Sequence, residues 1–231
     1  HISQIFPHWQ LHLTTFMLKW LRGEYMVTNI VCLVLGYLLG SIPFALVIGK
    51  VFYHTDVRKY GSGNLGGTNA GRVLGKKVGA LVIVLDALKV VLAVGIAQLV
   101  SGSAIATWTG LICVVGHCWP VFAHFKGGKG VASTYGFLLA ISIFIFRSPF
   151  YFILPLIMFL IILYLFKFVS LASITALITS SLYITGTSQI MDVNQCFILI
   201  ASWCMTLLVI NRHHSNIQKI RDGNENTIKW L

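Results

Sequence analysis

Residues 79–101 read GALVIVLDALKVVLAVGIAQLVS, a run whose only charges are Asp86 and Lys89. A helix needs about 20 mostly apolar residues to cross the ~30 Å hydrocarbon core of a bilayer, and this run meets that requirement. Charges at such depth are costly unless they are paired. Asp86 and Lys89 are three apart, share a helix face and neutralise one another. They are expected to form a buried structural ion pair, with support of a nearby site as the second reading. Six further apolar runs flank this one: 27–49, 104–122, 132–146, 150–166, 168–186 and 194–210. The expected fold is therefore an all-α integral membrane bundle of about seven transmembrane helices. The runs 132–146 and 150–166 are short, so tilt, pairing or partial re-entry is expected there.

Composition agrees. The 231 residues are 57% hydrophobic and only 10% charged, with a mean hydropathy of +0.83. A soluble domain carries roughly 25% charged residues, so an ordinary soluble enzyme, a disordered chain and a secreted disulfide scaffold are all excluded. The five cysteines are odd in number and lie mostly in apolar runs, as buried thiols do. Lys and Arg number 17 against 6 Asp and Glu. In a chain this apolar the excess marks cytoplasmic loops or an anionic small ligand, and no nucleic-acid partner is expected. Basic loops (Lys50 to Lys77, Lys126 and Lys129, Lys167, Arg212 to Arg221) alternate with nearly bare turns at 101–103, 147–149 and 187–193. The positive-inside rule then places the N-terminus outside and the C-terminus in the cytoplasm. Residues 1–25 fit this scheme poorly and are read as an N-terminal extension, non-native or interfacial, preceding a single domain at 26–231.

Polar residues near membrane spans carry the functional information. Three clusters stand out, all on the expected cytoplasmic side. The first is Gly61-Ser62-Gly63-Asn64-Leu65-Gly66-Gly67-Thr68-Asn69, followed by Arg72. Its glycines free the backbone to turn N–H groups toward one point, and the Arg72 guanidinium suits phosphate. The bland alternative is a flexible linker, which has no need of two Asn, a Thr and an Arg. The second is Gly116-His117-Cys118-Trp119-Pro120 running into Phe125-Lys126-Gly127-Gly128-Lys129-Gly130, a second small anion cradle. Cys113 and His117 are four apart, but no second ligand pair has metal spacing, so no metal site is expected. The third is Asn211-Arg212-His213-His214-Ser215-Asn216, which read alone is equally a polar helix end among lipid headgroups. None of the three clusters contains a carboxylate, which disfavours two-carboxylate chemistry and Mg²⁺-dependent phosphotransfer.

Together these residues resemble a known family, the bacterial membrane acyl-phosphate:glycerol-3-phosphate acyltransferases. The resemblance lies in Gly40-Ser41-Ile42-Pro43-Phe44, in Asp56-x-Arg58, and in Ser62 to Asn69 with Arg72. It continues in Gly116-His117-x-x-Pro120-x-Phe122 with Phe125 to Gly130, and in Arg212-His213-x-x-Asn216-Ile217 with Gly223-x-Glu225. It covers roughly residues 36–225. Gly67 stands where the family commonly has Ala, read as a mild change, and Val90 stands where Gly is expected. The resemblance implies transfer of an acyl group from acyl phosphate to the 1-hydroxyl of sn-glycerol 3-phosphate, giving lysophosphatidic acid and phosphate. It implies a bacterial cell membrane location with the site facing the cytoplasm, membrane lipid as surroundings, no cofactor, and coupling to the enzyme that makes acyl phosphate. By motif position Ser62, Arg72, Lys129, His213 and Asn216 would hold glycerol 3-phosphate. The backbone from Gly63 and Asn64 through Gly66, Gly67, Thr68 and Asn69, with Gly127 and Gly128, would hold the donor's phosphate. His213, Lys129 and Arg72 are the candidate catalytic residues.

The motifs contain no convincing nucleophile, which favours direct transfer. The general base is open between His213 and the donor's own phosphate. No histidine is followed five positions later by Asp, so the His-x-x-x-x-Asp dyad of thioester-using acyltransferases is missing. The competing reading is a transporter of a phosphorylated metabolite, with the glycine loops as cargo site. Transporters favour midplane sites and internal repeats, and this chain has edge motifs and no evident repeat.

Overall fold

The computed structural model describes residues 26–189 and 191–228, so the expected 1–25 extension lies outside the described residues. Ten helices follow one another among them: α1 (Met26–Gly40), α2 (Phe44–Tyr53), α3 (Gly67–Leu74), α4 (Lys76–Ser101), α5 (Ser103–Cys118), α6 (Val131–Phe144), α7 (Phe150–Phe166), α8 (Val169–Thr187), α9 (Val193–Arg212) and α10 (His214–Arg221). Short 3₁₀ turns occupy Val57–Lys59 and Val121–Ala123, and no strand occurs among the described residues.

The chain's own chemistry sets the breaks. Pro43 has no N–H and pushes the residue before it out of helical geometry. The apolar run 27–49 is therefore two helices, α1 and α2, bent by 45°, rather than the single span expected. Gly102, with φ of +81°, makes the turn from α4 into α5. Asp192 starts α9 by accepting the N–H groups of Asn194 and Gln195.

Four segments are long and apolar enough to cross a membrane: α4, Ser103–Ala123, α8 and α9. The bent α1–α2 pair adds a fifth if it counts as one span. Helices α6 and α7, of 14 and 17 residues, extend about 21 and 26 Å at 1.5 Å per residue. Both fall short of a ~30 Å core, as the short runs foreshadowed. Helix α6 packs against α4, α5 and α7, and Gly136, Phe137, Leu138, Ala140 and Ile141 are sealed inside. A helix apolar all round belongs in such an interior position.

The main core runs through Val94, Val114, Phe137, Ile141, Leu177 and Met205. Small residues let backbones meet, as membrane helices require in place of a hydrophobic drive. A Cβ at Gly40 would collide with the Cys113 carbonyl, and one at Gly116 would stand 2.5 Å from the Tyr37 carbonyl. A second, smaller cluster of Ala45, Leu46, Val57, Leu65, Ala70 and Val82 underlies the first glycine loop. Outward-facing Ile30, Val34, Leu81, Leu92, Ile157 and Leu160 are exposed, the surface a bilayer covers.

The long helices reverse one after another. Segments 54–66, 119–130, 167–168 and 213–228 therefore share one end of the bundle, tied together by Ile228 N–H to the Lys167 carbonyl at 3.0 Å and by Ser170 Oγ to Glu225 Oε1 at 2.8 Å. The three polar clusters all lie at that end.

Candidate active site

The first cluster is a self-supporting loop. Gly61 and Gly63 take φ of +61° and +68°, conformations that glycine adopts without steric cost. Asn69, 1% exposed, staples the loop. Its amide donates to the carbonyls of Val57 (3.0 Å) and Tyr60 (3.2 Å), and its Oδ1 accepts the Ser62 N–H at 2.8 Å. The Asn64 side chain accepts the Gly66 N–H, and the Gly63 N–H goes to the Tyr60 carbonyl. The expectation that Gly63, Gly66 and Asn69 face a ligand meets a competing use: the two glycine N–H groups and the Asn69 side-chain amide are hydrogen-bonded inside the loop and would have to exchange partners to meet one. Donors remain at the start of α3. The Gly67 and Thr68 N–H groups have no partner among the described residues. They sit at a helix N-terminus, where anions bind, and the Ser62 and Thr68 side chains are exposed beside them.

Gly67 is less exchangeable than the sequence implied. A Cβ there would run into the Ile83 side chain and stand 2.7 Å from the Gly79 carbonyl. Val90 is fully buried in the main core.

The second cluster folds back on the end of α5. The Gly128 N–H donates to the His117 carbonyl at 3.0 Å, so it too is committed; the Gly127 and Lys129 N–H groups have no partner among the described residues. Arg212, from α9, clamps this loop from the other side. Its Nε donates to the Gly128 carbonyl at 3.2 Å, its Nη2 reaches the Gly127 and Gly128 carbonyls, and the guanidinium lies over the Trp119 ring at 5.4 Å. The sequence offered Arg212 as a resemblance but not as a site residue. Its place at a helix end facing two glycines was the available signal.

Lys129 joins the second cluster to the third by donating to Asn216 Oδ1. Asn216 Nδ2 donates in turn to Glu225 Oε1 at 2.7 Å. A carboxylate therefore does stand at the site, contrary to the count of the three clusters. It comes from nine residues beyond Asn216, in the Gly223-x-Glu225 stretch that the sequence offered as part of the resemblance but not as a site residue. Burial lowers the Lys129 ammonium below its ordinary value, Glu225 opposes that shift, and the cations Arg72, Lys219 and Arg212 add to it. Arg72 of the first cluster is thus within electrostatic reach of Lys129 of the second.

His213, 3% exposed, lies at the junction of α9 and α10. Its Nδ1 is 2.8 Å from the Val209 carbonyl, so that nitrogen carries the proton and Nε2 keeps a lone pair. Burial pushes its pKa down to about 4, with the bond to Val209 opposing and Lys129 reinforcing. The ring is neutral at neutral pH. At the margin, Arg58 hydrogen-bonds Asp56 (2.6 Å to Oδ2) and holds its pKa at about 2, fixing the turn that leads into the first loop.

The structure thus brings Lys129, His213 and Asn216 together, with Arg72 within electrostatic reach and the Ser62 and Thr68 side chains exposed on the first loop. Cations gathered at the end of an apolar bundle suit phosphorylated substrates and a chain held in lipid.

The family described as Glycerol-3-phosphate acyltransferase matches residues 30–223. A glycerol-3-phosphate acyltransferase of Geobacillus kaustophilus is 42% identical over 198 residues, covering 86% of this chain and 95% of that protein. One from Bacillus subtilis is 42% identical over 199 residues, covering 86% and 97%. A crystal structure of PlsY, an integral membrane glycerol 3-phosphate acyltransferase, in its glycerol 3-phosphate form, aligns with a TM-score of 0.79 at 39% identity, over 87% of this chain and 96% of that one. The lysophosphatidic acid form aligns at 0.76 and 37%, over 87% and 95%. The transporter reading does not survive these matches. The chain belongs to the glycerol-3-phosphate acyltransferase family of integral membrane enzymes.

Proposed function

We propose that the enzyme transfers a fatty acyl group from acyl phosphate to the 1-hydroxyl of sn-glycerol 3-phosphate in one step. The products are lysophosphatidic acid and inorganic phosphate. The observation that carries this reading is the convergence of Arg72, Lys129 and the His213–Asn216 pair, from three distant segments, at the polar end of an apolar bundle. The relatives named above support the acceptor: one PlsY structure is a glycerol 3-phosphate form and another a lysophosphatidic acid form.

In this reading Ser62, Arg72, Lys129, His213 and Asn216 hold glycerol 3-phosphate. The donor's phosphate rests on the Gly67 and Thr68 N–H groups and on the Gly127–Gly128 loop. The acyl chain stays among the helices, and the acceptor arrives from the cytoplasm. Holding both substrates in register removes much of the entropic barrier. The acceptor oxygen forms the ester bond to the acyl carbon as the bond from that carbon to the phosphate oxygen breaks. Unpaired loop N–H groups stabilise the tetrahedral oxyanion, and the cations stabilise the departing phosphate. His213 Nε2 accepts a hydrogen bond from the attacking hydroxyl and orients it. With a pKa near 4 the ring is a poor final owner of the proton, and departing phosphate is a better one.

The same reading has a single domain over 26–231 in the bacterial cell membrane. All seven apolar runs cross or enter the bilayer, with the N-terminus outside and the C-terminus and site on the cytoplasmic face. An acyl phosphate-forming enzyme supplies the donor. The test is purified protein in detergent with palmitoyl phosphate and glycerol 3-phosphate. Equal release of lysophosphatidic acid and phosphate is expected. Hydrolysis of the donor without ester formation would refute the reading.

A further inference from the structure

Beneath the Gly127–Gly128 loop a charged cluster is sealed inside the bundle. Lys89 Nζ donates to Asp86 Oδ1 at 2.8 Å and to the Ile42 carbonyl at 3.0 Å, and lies 3.1 Å from His117 Nδ1. Asp86, Lys89 and His117 are 1%, 4% and 6% exposed. His117 Nδ1 also lies 3.3 Å from Asp86 Oδ1, so this one ring nitrogen faces both members of the ion pair. The Nε2 edge of the ring meets the loop, since a Cβ on Gly128 would collide with His117 Nε2. The His117 carbonyl also takes the Gly128 N–H. One residue thus supports the loop through side chain and backbone, opposite the Arg212 clamp.

Stability alone is a weak reason for this cluster. Apolar residues of similar volume often stabilise a core as well as a buried ion pair does, or better. Here the arrangement is also incomplete, because Asp86 Oδ2 is buried with no hydrogen-bond partner, a cost that calls for an explanation. What the cluster achieves is geometric. The three polar groups around Lys89 Nζ come from three places: the break between α1 and α2, α4 itself, and the end of α5. A directional network fixes a ring's tautomer and tilt, which non-directional apolar contact does not.

We propose that Asp86, Lys89 and His117 form a positioning device for the Gly127–Gly128 loop, with His117 the positioning residue and Lys89 the group that fixes its ring. The inference rests on the reading that this loop holds a substrate's phosphate. The test compares the wild-type protein with the double variant Asp86→Leu/Lys89→Met and with His117→Leu and His117→Gln. KM for acyl phosphate, KM for glycerol 3-phosphate, kcat and Tm are measured for each. The double variant is expected to keep its Tm and to raise one of the two KM values at least tenfold while the other stays within twofold. His117→Leu should raise the same KM. His117→Gln, which returns an amide near the Nε2 position, should recover at least a third of the loss. A rise in the acyl phosphate KM supports both the device and the donor loop. A rise in the glycerol 3-phosphate KM supports the device and refutes the donor assignment. Unchanged KM values, or a fall in kcat that only tracks a lowered Tm, would overturn the device.

Discussion

Lys129 and Asn216 are already joined before any substrate arrives, and Glu225 holds the far side of Asn216. The cation proposed to meet a phosphate is therefore preorganised, and on that reading its removal costs binding directly. Truncating one partner of a buried charge pair costs about 2–5 kcal/mol, equivalent to about 30-fold to several thousand-fold in kcat/KM. Lys129→Ala is expected to lose activity in that range, and Arg72→Ala, whose side chain is exposed in the free enzyme, to lose less, each while keeping wild-type Tm, as steady-state kinetics and thermal unfolding in detergent will measure. His213 gives a pH prediction. Its folded pKa of about 4 lies below the ordinary value of 6.5, so between those values the unfolded chain binds the extra proton. The contribution to stability is complete above about pH 6.5 and is lost as pH falls toward 4. The Tm of the wild type should fall more steeply from pH 7 to pH 4.5 than that of His213→Gln. Arg72 and Lys129 stood out in the sequence as cations beside glycine loops, whereas His213, whose cluster read alone was equally a polar helix end, was named only on the family resemblance. The role of Asn69 was not legible, since nothing in a glycine-rich string says whether an amide faces a ligand or its own backbone. Glu225 was quoted with the third motif, but nothing in the sequence assigned its carboxylate to Asn216.

Helix α4 carries the buried pair, and there the sequence spacing was sufficient: Asp86 and Lys89 do meet, at 2.8 Å. Removing one partner strands the other charge in the bundle interior, at a cost of about 3–5 kcal/mol. Asp86→Leu and Lys89→Met are each expected to lower Tm by more than the double variant does. A double variant less stable than both singles would argue against the pairing. The break between α1 and α2 was less legible. Pro43 was quoted as part of a motif, yet the apolar run continues on both sides, and hydropathy does not record a missing N–H. Helices α6 and α7 show the same limit from the other direction. Apolar length alone does not separate a span from a helix buried among its neighbours, and α6, with Phe137 and Leu138 sealed inside, owes its place to packing.

The bundle as a whole places its catalytic candidates and nearly all its loop charges at one end, with only Arg147 and Asp192 in the turns at the other. By the positive-inside rule the charged end is expected to face the cytoplasm. In a cysteine-free background, Lys126→Cys in intact cells should resist an impermeant reagent applied from outside, and Ser148→Cys should react. The reverse pattern would invert the topology. A site at the membrane edge, with two glycine loops proposed to hold anions and no His-x-x-x-x-Asp dyad, suits a donor that brings its own good leaving group and a phosphate to be held. The most direct measurement of that claim is turnover of glycerol 3-phosphate by the purified protein with palmitoyl phosphate and, separately, with palmitoyl-CoA. Lysophosphatidic acid should form with palmitoyl phosphate alone; robust turnover on palmitoyl-CoA, with no source of acyl phosphate present, would contradict the account.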